Sequence, residues 1–86
     1  MELLGISVYG MDKPGIVHGI SEVLAKNNVN IVDIEQTVLQ GMFAMFIVGD
    51  ISACPLSIPE LEAKLKKRGQ EIGVEVHVAP FKRQEA

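Results

Sequence analysis

From residue 3 onward the apolar residues switch between a period of two and a period near 3.6. Leu4, Ile6 and Val8 take every second position, with Leu3, Gly5, Ser7 and Tyr9 between them. That alternation predicts a strand over residues 3–9. Over residues 14–27, Ile16, Ile20, Val23 and Leu24 recur at helical spacing with Val17 at the margin, and His18, Ser21, Glu22 and Lys26 hold the other side. This predicts an amphipathic helix. Asn27-Asn28 stops it, since asparagine tolerates a left-handed cap.

Residues 30–39 predict a second strand. Val32, Ile34 and Val38 are expected on one face and Asp33, Glu35 and Thr37 on the other, so the strand has a wet side and lies at an edge. Gln40-Gly41 predicts a hairpin turn. Residues 42–51 form a third strand that is apolar on both faces: Phe43, Met45 and Ile47 on one, Met42, Ala44, Phe46 and Val48 on the other. A strand apolar on both sides is covered on both sides. The two helices of so small a domain cover one face, so a second copy of the chain is expected on the other.

Ser57-Ile58-Pro59-Glu60 has the form of a capping box with proline in the first turn. A second helix is expected from there to about Glu71. Its stripe is Ile58, Leu61, Leu65 and Ile72, with Glu60–Lys64 and Glu62–Lys66 as favourable pairs and Gly73 as its end. Residues 74–81 predict a last strand, Val74, Val76 and Val78 alternating with Glu75 and His77, its pairing limited by Pro80. The order is β-α-β-β-α-β. Right-handed crossovers then give an α+β, ferredoxin-like sandwich: a four-stranded antiparallel sheet, first and third strands central, with both helices on one face. Residues 1–81 form the domain, and residues 82–86 a polar tail or the start of a linker.

Composition narrows the function classes. At 86 residues the chain supports one small core. A 48% hydrophobic share is high for that size and leaves apolar surface for a partner. A net charge of −3 argues against binding by phosphate neutralisation, so no nucleic-acid partner is expected. The single cysteine, Cys54, allows no internal disulfide and suits a reducing, cytoplasmic setting. No signal peptide is expected at residues 1–4, and no apolar run is long enough to span a bilayer, so no membrane partner is expected either.

The segment Gly10-Met11-Asp12-Lys13-Pro14-Gly15 links the first strand to the first helix. Asp12 is expected as the N-cap and Pro14 within the first helical turn. The free N–H groups and positive dipole end of such a helix attract a carboxylate. Other candidate chemistry reads as structural. His18 and His77 stand on separate elements, and Asp33 and Glu35 read as a solvated edge. Cys54 has no recognisable base, and Lys64, Lys66, Lys67 and Arg68, interleaved with Glu60 and Glu62, read as a solvated face. No catalytic constellation, metal site or cofactor site is expected.

Asp12-Lys13-Pro14-Gly15-Ile16-Val17, then Ile20-Ser21-Glu22-Val23-Leu24-Ala25 and Asn28-Val29-Asn30-Ile31, together resemble the ACT domain family of small regulatory domains. Asp33-Ile34-Glu35-Gln36-Thr37 with Gln40-Gly41-Met42-Phe43 is similar to two branches of it: freestanding ACT proteins, and ACT modules ahead of phosphoserine phosphatase catalytic domains. The resemblance covers nearly the whole chain. It implies a domain that binds an amino acid at a dimer interface and signals to an associated or attached enzyme. Carried over, the implied ligand positions are Gly10, Asp12, Lys13, Gly15, Ile16, Asn30 and Ile31. Where serine-binding members offer a histidine and an asparagine in the turn, this chain has Gly10 and Asp12. An acidic Asp12 suits a ligand ammonium, and the N–H groups of Gly15 and Ile16 suit its carboxylate. Two other readings use the same residues: a ligand-free oligomerisation module, and the N-terminal part of a phosphoserine phosphatase. RNA-recognition domains share the element order, but here Gln40 replaces their basic residue and the first strand carries only Tyr9 as an aromatic. Neither the paired cysteines of a metal chaperone nor the arginine cradle of an acylphosphatase is present in the first turn.

Overall fold

The computed structural model describes residues 1–81; the expected tail, residues 82–86, lies outside them. The elements are β1 (Leu3–Met11), α1 (Ile16–Lys26), β2 (Asn30–Leu39), β3 (Met42–Asp50), α2 (Ile58–Ile72) and β4 (Glu75–Phe81). All strand pairs are antiparallel, and the sheet order is β2-β3-β1-β4. The fold is the expected ferredoxin-like βαββαβ sandwich, with β1 and β3 in the middle.

The period-two pattern decides which face is dry. Leu4, Ile6 and Val8 of β1 and Phe43, Met45 and Ile47 of β3 point toward the helices and are buried against Ile16, Ile20 and Leu24 of α1 and Leu61 and Leu65 of α2. Burying each such side chain stabilises the fold by about 1.5–3 kcal/mol. The helix α2 packs tightly against the β4 side at Gly69, where an added Cβ would lie 2.7 Å from Val76 Cγ2 and 3.0 Å from the Val74 carbonyl oxygen. The hairpin turns at Gln40 and Gly41, with φ of 53° and 78°. Positive φ at both central residues is the turn whose twist matches two antiparallel strands.

Three expectations need correction. The first helix begins at Ile16 rather than at residue 14, and Pro14 lies in the turn before it. The second strand is not a regular alternation throughout: a register shift between Ile31 and Asp33 leaves Val32 without a partner in β3, as a bulge. Ile34, opposite Ile47, and Val38, opposite Phe43, do point to the helix side, yet both are exposed because the helices do not reach that far. The whole of β2 is therefore wet on both faces, Ile31 excepted. The third correction concerns α2. Glu62 pairs with Lys66 at 3.3 Å, but the Glu60 carboxylate turns back to accept from the Ser57 N–H at 2.9 Å while Glu60 N–H donates to Ser57 Oγ at 3.2 Å. The capping box forms and takes Glu60 out of the pair with Lys64.

Candidate functional site

The strand β1 runs on through Gly10 and Met11, opposite Phe43 and Met42, so the turn proper is short. It covers Asp12 to Gly15. Gly15 is the N-cap of α1, at φ 89°, a left-handed conformation that costs glycine little and most residues much. Gly19 N–H donates to the Gly15 carbonyl at 2.9 Å, the first rung of the helix. The N–H groups of Ile16, Val17 and His18 precede it and so stay outside the helical ladder. No side chain caps this end, and no acidic residue lies in its first turn. The expected N-cap role of Asp12 is overturned: it stands four residues ahead of the first helical residue, too far for a carboxylate to reach N2 or N3. Its backbone instead joins the turn to the β2–β3 hairpin, Asp12 N–H donating to the Gly41 carbonyl at 3.0 Å.

The other expected residues divide by what they touch. Gly10 lies under α2's exit, where an added Cβ would meet Val74 Cγ1 at 3.0 Å and the Gly73 carbonyl at 3.2 Å. Lys13 Nζ donates to the Ile72 carbonyl at 3.0 Å. Ile16 is in the core, and Ile31 is half-buried against it. Asp12, Gly15 and Asn30 are exposed.

One chain does not bring these last three together. Asn30 pairs with Asp50, at the end of β3 where Leu3 lies; Met11 pairs with Met42, at the other end. Eight steps along β3, from Met42 to Asp50, separate the two ends, about 27 Å at the usual strand rise. The turn and Asn30 thus stand at opposite ends of the sheet. Beside the turn, an open hollow of about 550 Å³ lies between Tyr9, Met11, Met42, Gln70 and Val74, and of the expected residues it includes Gly10 alone.

Several charged groups elsewhere are tied down. Arg68, expected as part of a solvated face, crosses from α2 to α1: Nη1 donates to the Gly19 carbonyl at 2.8 Å and to Glu22 Oε1 at 2.9 Å, and Nε to Glu71 Oε1 at 3.2 Å. The Arg68 hydrogen bond, aided by Lys26, holds the Glu22 carboxyl below the usual carboxylate range. Hydrogen bonds from the Ser52 hydroxyl and N–H do the same for Asp50, and those from Ser57 for Glu60. His77 does not approach His18; its ring stacks on Tyr9, centroids 5.7 Å apart. Among the described residues no three His, Cys, Asp or Glu side chains converge as a metal ion would need. Nor is any described helix long and apolar enough to cross a membrane.

A family model for the ACT domain matches residues 2–79. The chain belongs to the ACT domain family. A UPF0237 protein of Pyrobaculum aerophilum is 51% identical over 85 residues, covering 95% of this chain and 94% of that protein. Among solved structures, an ACT domain protein from Streptococcus pneumoniae superposes with a TM-score of 0.83 at 34% identity, over 92% of this chain and 89% of that one. The ACT domain from the GTP pyrophosphokinase of Chlorobium tepidum does so with a TM-score of 0.61 at 26% identity, over 98% and 90%. In this ACT domain the arginine tie between helices was not legible as such. Arg68 falls in a basic run, and only the packing of α1 on α2 reveals its partner.

Proposed function

We propose that this ACT domain is a regulatory, non-catalytic module that binds a small ligand carrying an ammonium and a carboxylate, an amino acid, between two copies of the chain. The observation that carries the reading is the separation of Asn30 from the Asp12–Gly15 turn. β2 is a ten-residue edge strand with exposed backbone and apolar side chains at Ile34, Val38 and Leu39. Beyond the bulge at Val32 the edge runs on for seven residues, Asp33 to Leu39, and the last four of these, Gln36 to Leu39, carry no charge, which leaves room for pairing with another strand. Antiparallel pairing of β2 with β2 of a second copy, centred on the strand, brings each Asn30 to the end of the other copy's strand where Leu39 lies. That is the end of the sheet that holds Gly41, Asp12 and the start of α1. The helix N-terminus then faces a ligand carboxylate, Asp12 its ammonium, and the partner copy's asparagine closes the site. Binding that needs both copies favours one arrangement of them, and so regulates an associated or attached enzyme by differential affinity.

Family membership supports the regulatory class, and the similar ACT domain of a GTP pyrophosphokinase belongs to an enzyme. A second reading, a ligand-free oligomerisation module in the cytoplasm, gains from the structural duties of Gly10, Lys13 and Ile16. A thermal-shift screen of the amino acids separates the two. Stabilisation by at least one of them is expected, and Asn30→Ala should weaken that ligand roughly ten- to a hundredfold, the value of one hydrogen bond to a charged group. No shift with any amino acid leaves the oligomerisation module.

A further inference from the structure

The face of the sheet turned away from the helices is the largest feature that the ligand reading does not use. Two of its rows run straight across the strands: Glu35, Phe46, Ser7, His77, then Thr37, Ala44, Tyr9, Glu75. At the centre, Phe46 and Tyr9 are large and lie on one diagonal. Ser7 and Ala44 are small and lie on the other. Phe46 is 48% exposed and stands between two hollows. One, of about 360 Å³, is floored by Ser7 and Ala44 and walled by Phe46, Tyr9, Glu35 and Thr37. The other, of about 160 Å³, lies over Gly5 and Ala79 beside Phe81.

We propose that this face packs against the same face of a second copy of the chain, the Phe46 ring of each entering the hollow over Ser7 and Ala44 of the other. The checkerboard is complementary to itself. A two-fold axis between two stacked sheets exchanges neighbours either across β1 and β3 or along them, and both exchanges set a large residue over a small one. That is the requirement of an isologous interface. The area is also of the right order. Six large apolar residues are exposed here, with Met11 at 71% and Leu39 at 65% the most so. At roughly 200 Å² for each full side chain they leave about 600 Å² open, against the roughly 800 Å² that each partner contributes to a standard interface. The polar residues of the two flanking strands supply the rest. The charges are placed for it: β1 has none, β3 has none before Asp50, and Asp33, Glu35, Glu75 and His77 all lie on the outer strands, Glu35 at the outer wall of the hollow and the others toward the rim. Among the described residues the face carries no lysine or arginine, which removes a polyanion as its occupant.

This interface does not depend on the edge pairing of β2, and one experiment separates them. Light scattering on the full chain should give a mass that falls twofold in Ala44→Arg, which fills the hollow, and in Phe46→Ser, which removes the ring, with the far-ultraviolet circular dichroism unchanged. Val38→Lys on the β2 edge should halve the mass independently, and combining it with Ala44→Arg should give a monomer. A mass unaltered by both Ala44→Arg and Phe46→Ser overturns the proposal, as does a monomeric parent chain. A mass that falls in the face variants but not in Val38→Lys upholds this interface and overturns the edge pairing.

Discussion

The Lys13 ammonium donates to the Ile72 carbonyl at 3.0 Å, joining the turn before α1 to the last turn of α2. A cation on the carbonyl end of a helix is stabilising, by about 0.3–1 kcal/mol at an exposed site. Lys13→Met keeps the stem and removes the charge. It should lower the melting temperature by a few degrees, and the loss should shrink in 1 M salt, where charges are screened. Thermal melts at low and high salt check both parts.

Gly69 predicts the reverse of helix propensity. In an exposed helix, glycine to alanine stabilises by about 1 kcal/mol. Here the new methyl would stand 3.0 Å from the Val74 carbonyl oxygen, a backbone atom, and 2.7 Å from Val76 Cγ2. Gly69→Ala should therefore destabilise by about 1–3 kcal/mol, the range for overpacking. Urea denaturation gives the sign directly.

Acid should weaken the fold. Glu22, Asp50 and Glu60 all have carboxyls held below their ordinary values by the groups hydrogen-bonded to them. A depressed folded-state pKa contributes stability that is full above the unfolded value and is lost as pH falls through the folded one. Melting temperature should thus be level near neutrality and drop below about pH 4. Asp50→Asn, which keeps the shape but not the charge, should flatten part of that drop.

The sequence-level pattern located every element, because long apolar alternations and helical stripes are local. Two-sided apolarity of β3 marked it as central before any register was known. What escaped depended on register and on single backbone angles. The bulge at Val32 shifts Asn30 and Ile31 by one position against the rest of the strand, and nothing in Ile31-Val32-Asp33 announces it. Asp12 looked like a cap because its residue type and the proline after it suit one; the left-handed Gly15 delays the helix and takes the cap position itself. Of the expected ligand residues, the turn and Asn30 are readable as motifs. Their placement at opposite ends of the sheet becomes visible only when β1 and β2 are both paired to β3.

The separation yields the most direct test of the proposed site. If a ligand is held by the turn of one copy and Asn30 of another, chains carrying Asp12→Ala alone or Asn30→Ala alone should each bind poorly. Mixed one to one and allowed to exchange, they should recover about a quarter of the parent's sites, since half of the pairs formed are hybrids with one intact site in two. Calorimetric titration of the mixture with the amino acid that stabilises the parent chain measures that fraction. A regained stoichiometry near one quarter is the predicted result; a mixture that binds no better than its two components contradicts the account.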